Sequence, residues 1–344
     1  MDAAPQKLQV HFAPLQGYTD AIYRRCHAKC IGGVAAYYSP FVRMEKGDVR
    51  KKDLWDVAFE NNEGVKLVPQ IIFNGPDEFD KLVEKILELG YSEIDLNMGC
   101  PYPMQTGRGR GSGILPRVDV VQEIADRINA LEHVAFSVKM RLGLESPEES
   151  QSLLPILNET RLRHVTVHPR VGRQQYKGAL DMTTFEKFYE GCVHPLCFNG
   201  DIVSVADIQG LQERYPGLCA VMIGRGLLAR PTLALEYGAG REWTEGEKST
   251  AVFAMHAEML EQVQETLADD VQKMNRMRSF WEYQEKALPK KIYKRVMKCV
   301  SWKEYLDLYV EGRHSDVSFW REERPIESTA VILEGPWSSA IGDR

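Results

Sequence analysis

Short apolar segments alternate with amphipathic stretches along roughly the first 225 residues of this 344-residue chain. The apolar segments are rich in Val, Ile and Phe without strict alternation, which is typical of strands covered on both faces of a parallel sheet. Each segment ends in polar or glycine-containing residues, and a helical pattern follows it. The eight segments are 10–15, 34–41, 66–73, 93–97, 135–140, 164–168, 196–199 and 220–223. This rhythm predicts an α/β fold of the (βα)8 type, a TIM barrel.

The stretches between the predicted strands have the spacing of amphipathic helices. After Pro76, apolar residues recur every three or four positions until Gly90, which predicts a helix with one face against the sheet. Similar patterns cover 118–131 and 205–215. These helices are therefore expected to form the outer layer of the barrel.

The alternation of strands and helices stops at residues 238–246, where a glycine-containing, charged stretch leads into a purely helical pattern. Helix formers and aromatic residues fill 248–309, and the last thirty or so residues have no clear period. We therefore predict a TIM-barrel domain over 1–240, a small all-α helical bundle domain over 241–320 and a C-terminal tail over 321–344.

Composition and cysteine usage narrow the class of protein. Hydrophobic residues make up 44% of the chain and charged residues 27%, which is ordinary for a globular protein with a sizeable core. No run reaches the roughly 18 apolar residues of a membrane span, and the N-terminus lacks the pattern of a secretory signal, so we expect a cytoplasmic location. The seven cysteines are then expected to be reduced thiols. The cysteine pairs around His27 and His194 lack a second well-spaced pair, so no metal site is predicted.

Charge is unevenly distributed along the chain. The net charge of −6 does not indicate a nucleic-acid binder as a whole. Residues 273–303, however, contain ten Lys or Arg residues against two acidic ones, Glu282 and Glu285. Because phosphate neutralisation needs basic residues on one face, this local excess matters more than the total charge.

Chemically versatile residues follow most of the predicted strands. In a barrel the carboxyl ends of parallel strands share one face, so these scattered residues are expected to form a single site. They are Pro14 to Gly17, Gln70, Asn97 to Cys100, Lys139 with Arg141, His168 with Arg170, Asn199 to Asp201 and Gly224 to Gly226. One Gln or Lys at a strand end is commonly a hydrogen-bonded barrel residue, but seven such groups together predict an active site.

The segment Asn97-Met98-Gly99-Cys100-Pro101 is the most informative of these groups. Gly99 and Pro101 define a tight turn at the end of a strand, and the sequence after the turn is too polar for a core. A cysteine is often a small buried hydrophobe, but this turn favours a thiol that is positioned as an acid.

The glycine-containing turns after the seventh and eighth predicted strands indicate a phosphate site. Small residues let backbone N–H groups approach a phosphate, and Arg225 adds positive charge. The chain has no Gly-x-Gly-x-x-Gly sequence that follows a strand and opens a helix, so FMN fits better than a dinucleotide. Lys139 would then face the N1 and O2 edge of the flavin, and Gln70 would hydrogen-bond the ring.

The Gly- and Arg-rich segment 107–113 is predicted to be a mobile, basic lid.

With these motifs the chain resembles the tRNA-dihydrouridine synthases, FMN enzymes that reduce uridine in RNA. The resemblance covers roughly residues 10–235 in order and is looser in the helical region. It rests on Ala13-Pro14-Leu15-Gln16-Gly17, Asn97-Met98-Gly99-Cys100-Pro101, Lys139-Met140-Arg141-Leu142-Gly143, His168-Pro169-Arg170 with Arg173 through Gly178, Asn199-Gly200-Asp201-Ile202 and Gly224-Arg225-Gly226.

The resemblance implies a role for individual residues. Cys100 is implied as the catalytic proton donor. The implied cofactor-binding residues are Pro14, Leu15, Gln16, Gln70, Lys139, His168, Asn199, Gly200, Asp201, Gly224 and Arg225. The implied substrate-binding residues are Asn97, Arg141, Arg170, Arg108 and Arg110.

The implied reaction moves a hydride from reduced FMN to C6 of a uridine in tRNA, and NADPH reduces the flavin. C5 must then receive a proton, and a thiol with a pKa of about 8.5 is mostly protonated at pH 7 and can donate it. A tRNA loop presents its bases for removal from the stack at low cost, and the helical domain would hold the RNA. A monomer is expected.

Two alternatives stay open at this point. The same flavin barrel would serve a small-molecule oxidoreductase similar to dihydroorotate dehydrogenase or the ene-reductases, and the basic stretch of the helical region separates the two functions. The other alternative is a non-catalytic, RNA-binding barrel that has lost its flavin.

Overall fold

The strands of the described chain form one eleven-stranded sheet that is parallel except for one hairpin. A computed structural model describes residues 7–314. In chain order the strands are β1 (Gln9–Phe12), β2 (Ala36–Tyr38), β3 (Val42–Glu45), β4 (Asp48–Val49), β5 (Leu67–Val68), β6 (Gln70–Ile72), β7 (Glu93–Met98), β8 (Ala135–Gly143), β9 (Leu162–Val171), β10 (Leu196–Asn199) and β11 (Leu218–Ile223). Hydrogen-bonded neighbours follow the order β4-β3-β6-β7-β8-β9-β10-β11-β1-β2-β5.

One extended segment closes this sheet into a ring. β5 and β6 are separated only by Pro69, which has no N–H group to donate to a neighbouring strand. β5 pairs with β2 and β6 pairs with β7, so the two ends of the sheet meet in this segment. The first and last barrel strands, β1 and β11, also pair in parallel. All eight predicted strand segments are present, and the predicted TIM barrel is confirmed.

The hairpin of β3 and β4 was not predicted from the sequence. Lys46 and Gly47 connect the two strands and have φ angles of 53° and 87°. Two residues with positive φ form the tight turn that suits the twist of paired antiparallel strands. Because the hairpin follows β2, it extends the rim at the carboxyl ends of the barrel strands.

Helices surround the barrel and continue beyond it. The α-helices of the described chain are α1 (Ala21–Cys30), α2 (Lys51–Val57), α3 (Pro76–Glu88), α4 (Pro103–Thr106), α5 (Val118–Ala130), α6 (Glu148–Glu159), α7 (Met182–Gly191), α8 (Val205–Arg214), α9 (Arg225–Ala229), α10 (Leu233–Ala239), α11 (Glu245–Thr266), α12 (Asp270–Trp281), α13 (Lys290–Lys298) and α14 (Trp302–His314). Short 3-10 helices are Phe59–Asn61, Gly111–Ile114, Gly172–Gln174 and Glu285–Ala287. The helices predicted after Pro76, over 118–131 and over 205–215 are confirmed.

Local sequence explains how these helices begin and which face they bury. Pro76 is the first residue of α3, where its missing N–H group costs no hydrogen bond. The apolar residues Phe79, Leu82, Val83 and Ile86 of α3 are buried, as the predicted spacing requires.

The barrel strands direct alternate side chains to the two sides of the barrel wall. On β8 the set that joins the apolar core is Phe136, Val138 and Met140, and the alternate set is Ser137, Lys139 and Arg141. β7 and β9 follow the same rule, with Asp95 and Thr166 buried between apolar neighbours. The apolar set packs under the helices, so the polar side chains of β7, β8 and β9 fill their part of the barrel interior.

Helix α11 packs on α1 of the barrel, α12 packs on α11, and α13 and α14 pack on α12. One apolar core includes residues of both parts. Arg276 of α12 forms a 3.0 Å ion pair with Asp20 and donates to the carbonyl of Tyr18, in the loop after β1. The predicted helical pattern over 248–309 is confirmed, and the division at residue 241 stays a prediction. The predicted tail over 321–344 lies outside the described residues.

Two general features complete the fold. All seven cysteines are free thiols. In the part of the chain that the structure covers, none of the helices combines the length and the apolar character needed to cross a membrane.

We predict that Arg24→Met destabilises the fold far more than Arg127→Met. The buried Arg24 guanidinium bonds Asp56 and Asn62, and its removal leaves a mostly buried carboxylate without its cation, which costs about 3–5 kcal/mol. Arg127 pairs with Asp80 at the surface, where such a pair contributes about 0–1 kcal/mol. Urea unfolding measures both effects, and equal unfolding midpoints for the two variants would contradict the prediction.

Candidate functional site

A cavity of about 690 Å³, the central cavity, opens where the carboxyl ends of the barrel strands meet. Most residues that the sequence predicts for the site line this cavity. They are Pro14, Leu15, Gln16, Gln70, Asn97, Cys100, Lys139, Arg141, His168, Asn199, Gly200, Asp201, Gly224 and Arg225. The structure therefore brings together residues that lie more than 200 positions apart in the sequence. Three predicted substrate-binding residues, Arg108, Arg110 and Arg170, do not line the cavity.

A chain of buried hydrogen bonds links three strands beneath the central cavity. Asn97 on β7 donates from Nδ2 to Gln70 Oε1 on β6, and Gln70 Nε2 donates to Asp95 Oδ2, both over 2.6 Å. Ser137 on β8 donates to the other oxygen of Asp95, also over 2.6 Å. Asn97 Oδ1 accepts from backbone N–H groups, so Asn97 presents Nδ2 to Gln70, and this fixes the orientation of the Gln70 amide.

Asp95 lies at the centre of this hydrogen-bonded chain, and the sequence analysis did not single it out. It is fully buried, and this burial raises the pKa of its carboxyl to about 7, although the hydrogen bonds from Gln70 and Ser137 and the charge of Lys139 act in the opposite direction. A signal was present, since Asp95 is an acidic residue between Ile94 and Leu96 within an apolar strand.

The side chain of Asn97 also shapes the turn that carries Cys100. Its Oδ1 atom accepts hydrogen bonds from the backbone N–H groups of Gly99, at 3.2 Å, and Cys100, at 2.9 Å. Arg141 Nε donates to the carbonyl of Gly99 over 3.0 Å. Both ends of the Asn97 amide are therefore engaged within the protein, which places this residue as a support for the cysteine.

The thiol of Cys100 is half-buried at the wall of the central cavity. Burial raises its pKa, while a hydrogen bond from the Tyr102 backbone and the charges of Arg141 and Lys139 lower the pKa in part. A thiol whose pKa lies above its ordinary value is protonated at neutral pH. Cys100 can therefore give a proton to a molecule in the cavity.

The structure corrects the predicted mobile lid over 107–113. Gly111–Ile114 forms a buried 3-10 helix, and Ser112 donates its backbone N–H to the carbonyl of Cys100 over 3.0 Å. Gly111 has a φ angle of 59°, and a Cβ atom there would lie 2.6 Å from the Cys100 carbonyl oxygen. Glycine occurs at this position because the segment packs under the cysteine turn, not because the segment must move.

Lys139 and His168 present two nitrogen groups to the central cavity. Lys139 has no hydrogen-bond or ion-pair partner in the described chain, and burial together with the nearby charge of Arg141 lowers its pKa to about 8. Burial and the surrounding cations hold the pKa of His168 far below its ordinary value, so the imidazole is neutral. Its Nε2 atom accepts a 3.2 Å hydrogen bond from Arg170.

Asp201 joins two arginines at the rim of the central cavity. Arg170 donates to both carboxylate oxygens of Asp201, and Arg225 donates to Oδ1 over 3.0 Å. The hydrogen bond and charge of Arg170 lower the pKa of Asp201. Arg170 is only 3% exposed, so it supports Asp201 and His168 from behind the cavity wall. Its predicted role in substrate binding stays a prediction.

Gly200, Gly224 and Gly226 form a glycine cradle at the same rim. A Cβ atom at Gly226 would lie 2.0 Å from the carbonyl oxygen of Ile202, so the two backbone segments touch directly. Gly200 has a φ angle of 153°, which favours glycine. The cradle exposes backbone beside Arg225, an arrangement that suits an anionic group.

Two aromatic residues of the cavity wall were not predicted. The Tyr176 ring lies between the guanidinium groups of Arg141, 5.4 Å from its centroid, and Arg225, 4.7 Å from its centroid. Tyr176 is 51% exposed and can stack on a planar ring. Tyr283 comes from the helical region and packs edge-on against Tyr18. Tyr176 stands out as an aromatic residue in a polar loop, whereas no sequence signal places Tyr283 at the barrel mouth.

Arg108 and Arg110 line a second cavity of about 580 Å³. Arg110 is buried, and its guanidinium bonds the carboxylate of Glu78 and the carbonyl of Met44. Neither arginine reaches the central cavity, and their roles in substrate binding stay predictions.

The structure groups no three His, Cys, Asp or Glu side chains as metal ligands within residues 7–314. His27, which lies between two cysteines in sequence, bonds Tyr37 and the carbonyl of Pro231 instead.

Comparisons with known proteins point to one family. The family model described as dihydrouridine synthase (Dus) matches residues 11–311. A tRNA-dihydrouridine(16) synthase of Neisseria meningitidis serogroup B is 27% identical over 238 residues, which is 67% of this chain and 71% of the relative. A human tRNA-dihydrouridine(47) synthase [NAD(P)(+)]-like protein is 31% identical over 177 residues, covering 49% of this chain and 26% of the relative. A solved structure of an NCR variant from Zymomonas mobilis has a TM-score of 0.48 at 12% identity and covers 69% of this chain and 88% of its own.

We predict that Asp95 makes the stability of the fold depend on pH. Its pKa is raised in the folded state from 3.8 to about 7, so the stability that its protonated form contributes is complete below pH 3.8 and is lost as the pH rises through 7. The free energy of unfolding of the wild type, minus that of Asp95→Asn, should therefore decrease between pH 4 and 8 in urea titrations. The exposed Asp80→Asn variant is the control, and a difference for Asp95→Asn that is flat across this range would contradict the prediction.

Proposed function

The chain belongs to the dihydrouridine synthase family, and from this premise we propose that it reduces the C5–C6 double bond of a uridine in tRNA. The proposed cofactor is FMN, and the proposed reductant is NADPH. One observation carries the proposal: the protonated Cys100 thiol shares a single cavity with the ammonium of Lys139 and with the glycine cradle. As a tRNA-modifying enzyme the protein would act in the cytoplasm.

The residues of the central cavity suit a flavin mononucleotide. Lys139 offers an ammonium group that has no partner among residues 7–314 to the N1 and O2 edge of the ring, where negative charge develops on reduction. Gln70 uses one Nε2 hydrogen on Asp95 and has a second for the flavin ring. The glycine cradle and Arg225 would hold the phosphate.

The reaction needs a hydride at C6 of the uracil and a proton at C5. When bound, the reduced flavin supplies the hydride. The negative charge on the substrate then spreads over C5 and the C4 carbonyl, and the Cys100 S–H bond breaks as its proton goes to C5. Solvent returns a proton to the thiolate, which is favourable because burial raises the pKa of Cys100. Asn97 and Gly111 hold the cysteine turn in place for this step.

Other residues of the cavity wall would hold the uracil base. Tyr176 offers an exposed ring on which an unstacked base can pack. Arg141, fixed by its bonds to the carbonyls of Gly99 and Val171, would donate to a uracil carbonyl oxygen. Removal of the base from the RNA stack is required before it can reach this wall.

The surface of α13 supports RNA as the substrate over a small molecule. Its lysines are exposed and have no ion-pair partner among the residues described here. They are Lys290, Lys291, Lys294 and Lys298. A row of free cations on one helix neutralises phosphates, and a small-molecule reductase has no use for it. We therefore propose that 1–240 forms the catalytic domain and that 241–320 contacts tRNA.

We predict that Cys100→Ala lowers dihydrouridine formation in tRNA by about 10²–10⁴-fold, because the proton donor is lost. Flavin content should stay at the wild-type level, since Cys100 lies in the turn and not in the glycine cradle. Mass spectrometry of tRNA incubated with enzyme and NADPH measures the product. Cys219→Ala, a half-buried thiol outside the central cavity, is the matched control.

Full activity of Cys100→Ala would reject the assigned role. Wild-type turnover of free uracil or of enones as fast as tRNA would reject RNA as the substrate and favour the small-molecule function. A colourless protein that releases no flavin on denaturation would reject the whole proposal.

We predict that Lys139→Met weakens FMN retention about tenfold, which is the effect of losing one charge-assisted contact. Equilibrium dialysis with FMN, followed by flavin absorbance, measures the loss. Lys187→Met removes an exposed lysine of α7 and is expected to retain FMN as the wild type does. Equal FMN affinity of Lys139→Met and wild type would exclude contact between this ammonium and the flavin.

A further inference from the structure

The second cavity, named the flank cavity here, lies beside the turn that carries Cys100. Three elements form it: the hairpin of β3 and β4, the first turns of α3, and the segment from α4 to Arg110. The proposed chemistry at Cys100 does not use any of its residues. Its volume of about 580 Å³ is close to that of the central cavity.

Positive charge without a protein partner dominates the flank cavity. Lys46, Lys81 and Arg108 are exposed in its wall and form no ion pair within residues 7–314. Three acidic residues belong to the wall, and two of them are already paired: Glu78 with Arg110, and Glu45 with Arg50 over 3.5 Å. The third, Asp77, does not balance three cations. The cavity therefore favours an anionic ligand.

Two buried polar atoms in the same wall have no hydrogen-bond partner in the part of the chain that the structure describes. Arg110 is 4% exposed and its Nη1 group has no acceptor, while Gln105 is 5% exposed and its Oε1 atom has no donor. An unsatisfied buried polar group costs about 1–3 kcal/mol, so such groups call for an explanation. A ligand that brings both an anionic acceptor and a hydroxyl or N–H donor would satisfy the two atoms together.

The chain passes directly from one cavity to the other. Cys100 and Pro101 line the central cavity, and Met104 and Gln105 line the flank cavity. Met104 is 64% exposed and Tyr102 is 58% exposed, so apolar surface marks the path between the cavities. Aromatic and apolar side chains in such positions pack against unstacked bases.

We propose that the flank cavity binds the nucleotide next to the target uridine, with its phosphate on Arg108 and Lys46 and its ribose or base edge on Gln105. This inference rests on the proposed function, because it takes the uridine to lie at Cys100, from which Tyr102 and Met104 lead to the flank cavity. RNA carries the required combination of phosphate acceptors and 2′-hydroxyl or base donors. An acidic peptide would bring the anions, but nothing ties it to Cys100.

The test reverses charge at exposed positions of the cavity. Arg108→Glu and Lys46→Glu should each raise the KM for tRNA about tenfold with little change in kcat, and each should flatten the salt dependence of RNA binding by about 0.7 in the slope of log K against log salt. Arg108→Lys keeps the positive charge and should therefore retain most of the wild-type salt slope of RNA binding. Arg161→Glu, an exposed charge reversal at the amino end of β9, is the matched control and should change neither quantity.

The outcomes separate this proposal from the proposed function. FMN content and oxidation of NADPH by oxygen should match the wild type in every variant, which shows that the central cavity is intact. An unchanged KM, or a raised KM with an unchanged salt slope, would overturn the flank cavity as a phosphate site. If the wild type forms no dihydrouridine, the proposed function fails. The flank cavity can still be tested as a phosphate site, because filter binding of a short uridine-containing RNA gives the salt slope of the wild type and of each variant. If polyaspartate displaces that RNA from the variants as readily as from the wild type, this result would also overturn the flank cavity as a phosphate site.

Discussion

The two-residue period of side chains along the barrel strands is the constraint on which the rest of this structure depends. A strand in the barrel wall turns one set of side chains to the helices and the other to the interior, and a shift of one residue would exchange the two sets. On β8, Phe136 and Val138 face the apolar core, while Ser137 and Lys139 face inwards. Because β6, β7 and β8 keep the same phase, their inward side chains form a polar part of the interior that ends in the site at the carboxyl edge. A small apolar cluster from β2, β5, β10, β11 and the residue after β1 fills the rest.

This phase also explains why one hydrogen-bonded chain can support the reactive cysteine. Gln70, Asp95 and Ser137 belong to three adjacent strands, yet their side chains meet because each is on the inward set. Asn97 extends the chain to the backbone of Cys100. The position of the thiol is thus set by this chain of buried hydrogen bonds, and it does not depend on the mobility of a surface loop.

Much of the fold and of the candidate site could be predicted from the sequence, because both depend on local patterns. The eight apolar segments marked the strands, and the common direction of parallel strands grouped Gln70, Lys139 and Gly224 into one site. What could not be predicted depends on contacts between distant segments. The composition of 107–113 indicated motion, but Gly111 is small because the Cys100 carbonyl lies against it. Tyr283 reaches the barrel mouth only because the helical region docks there.

That docking has a consequence for how the molecule unfolds. Tyr23 and Cys26 of α1 belong to the same apolar core as Met255 and Trp281 of the helical region. Each part would therefore expose buried apolar residues to water without the other. Heating should therefore melt barrel and bundle in a single cooperative transition. A proteolytic fragment that ends near residue 241 would expose a large apolar surface and would tend to aggregate, although it contains every residue that lines the barrel interior.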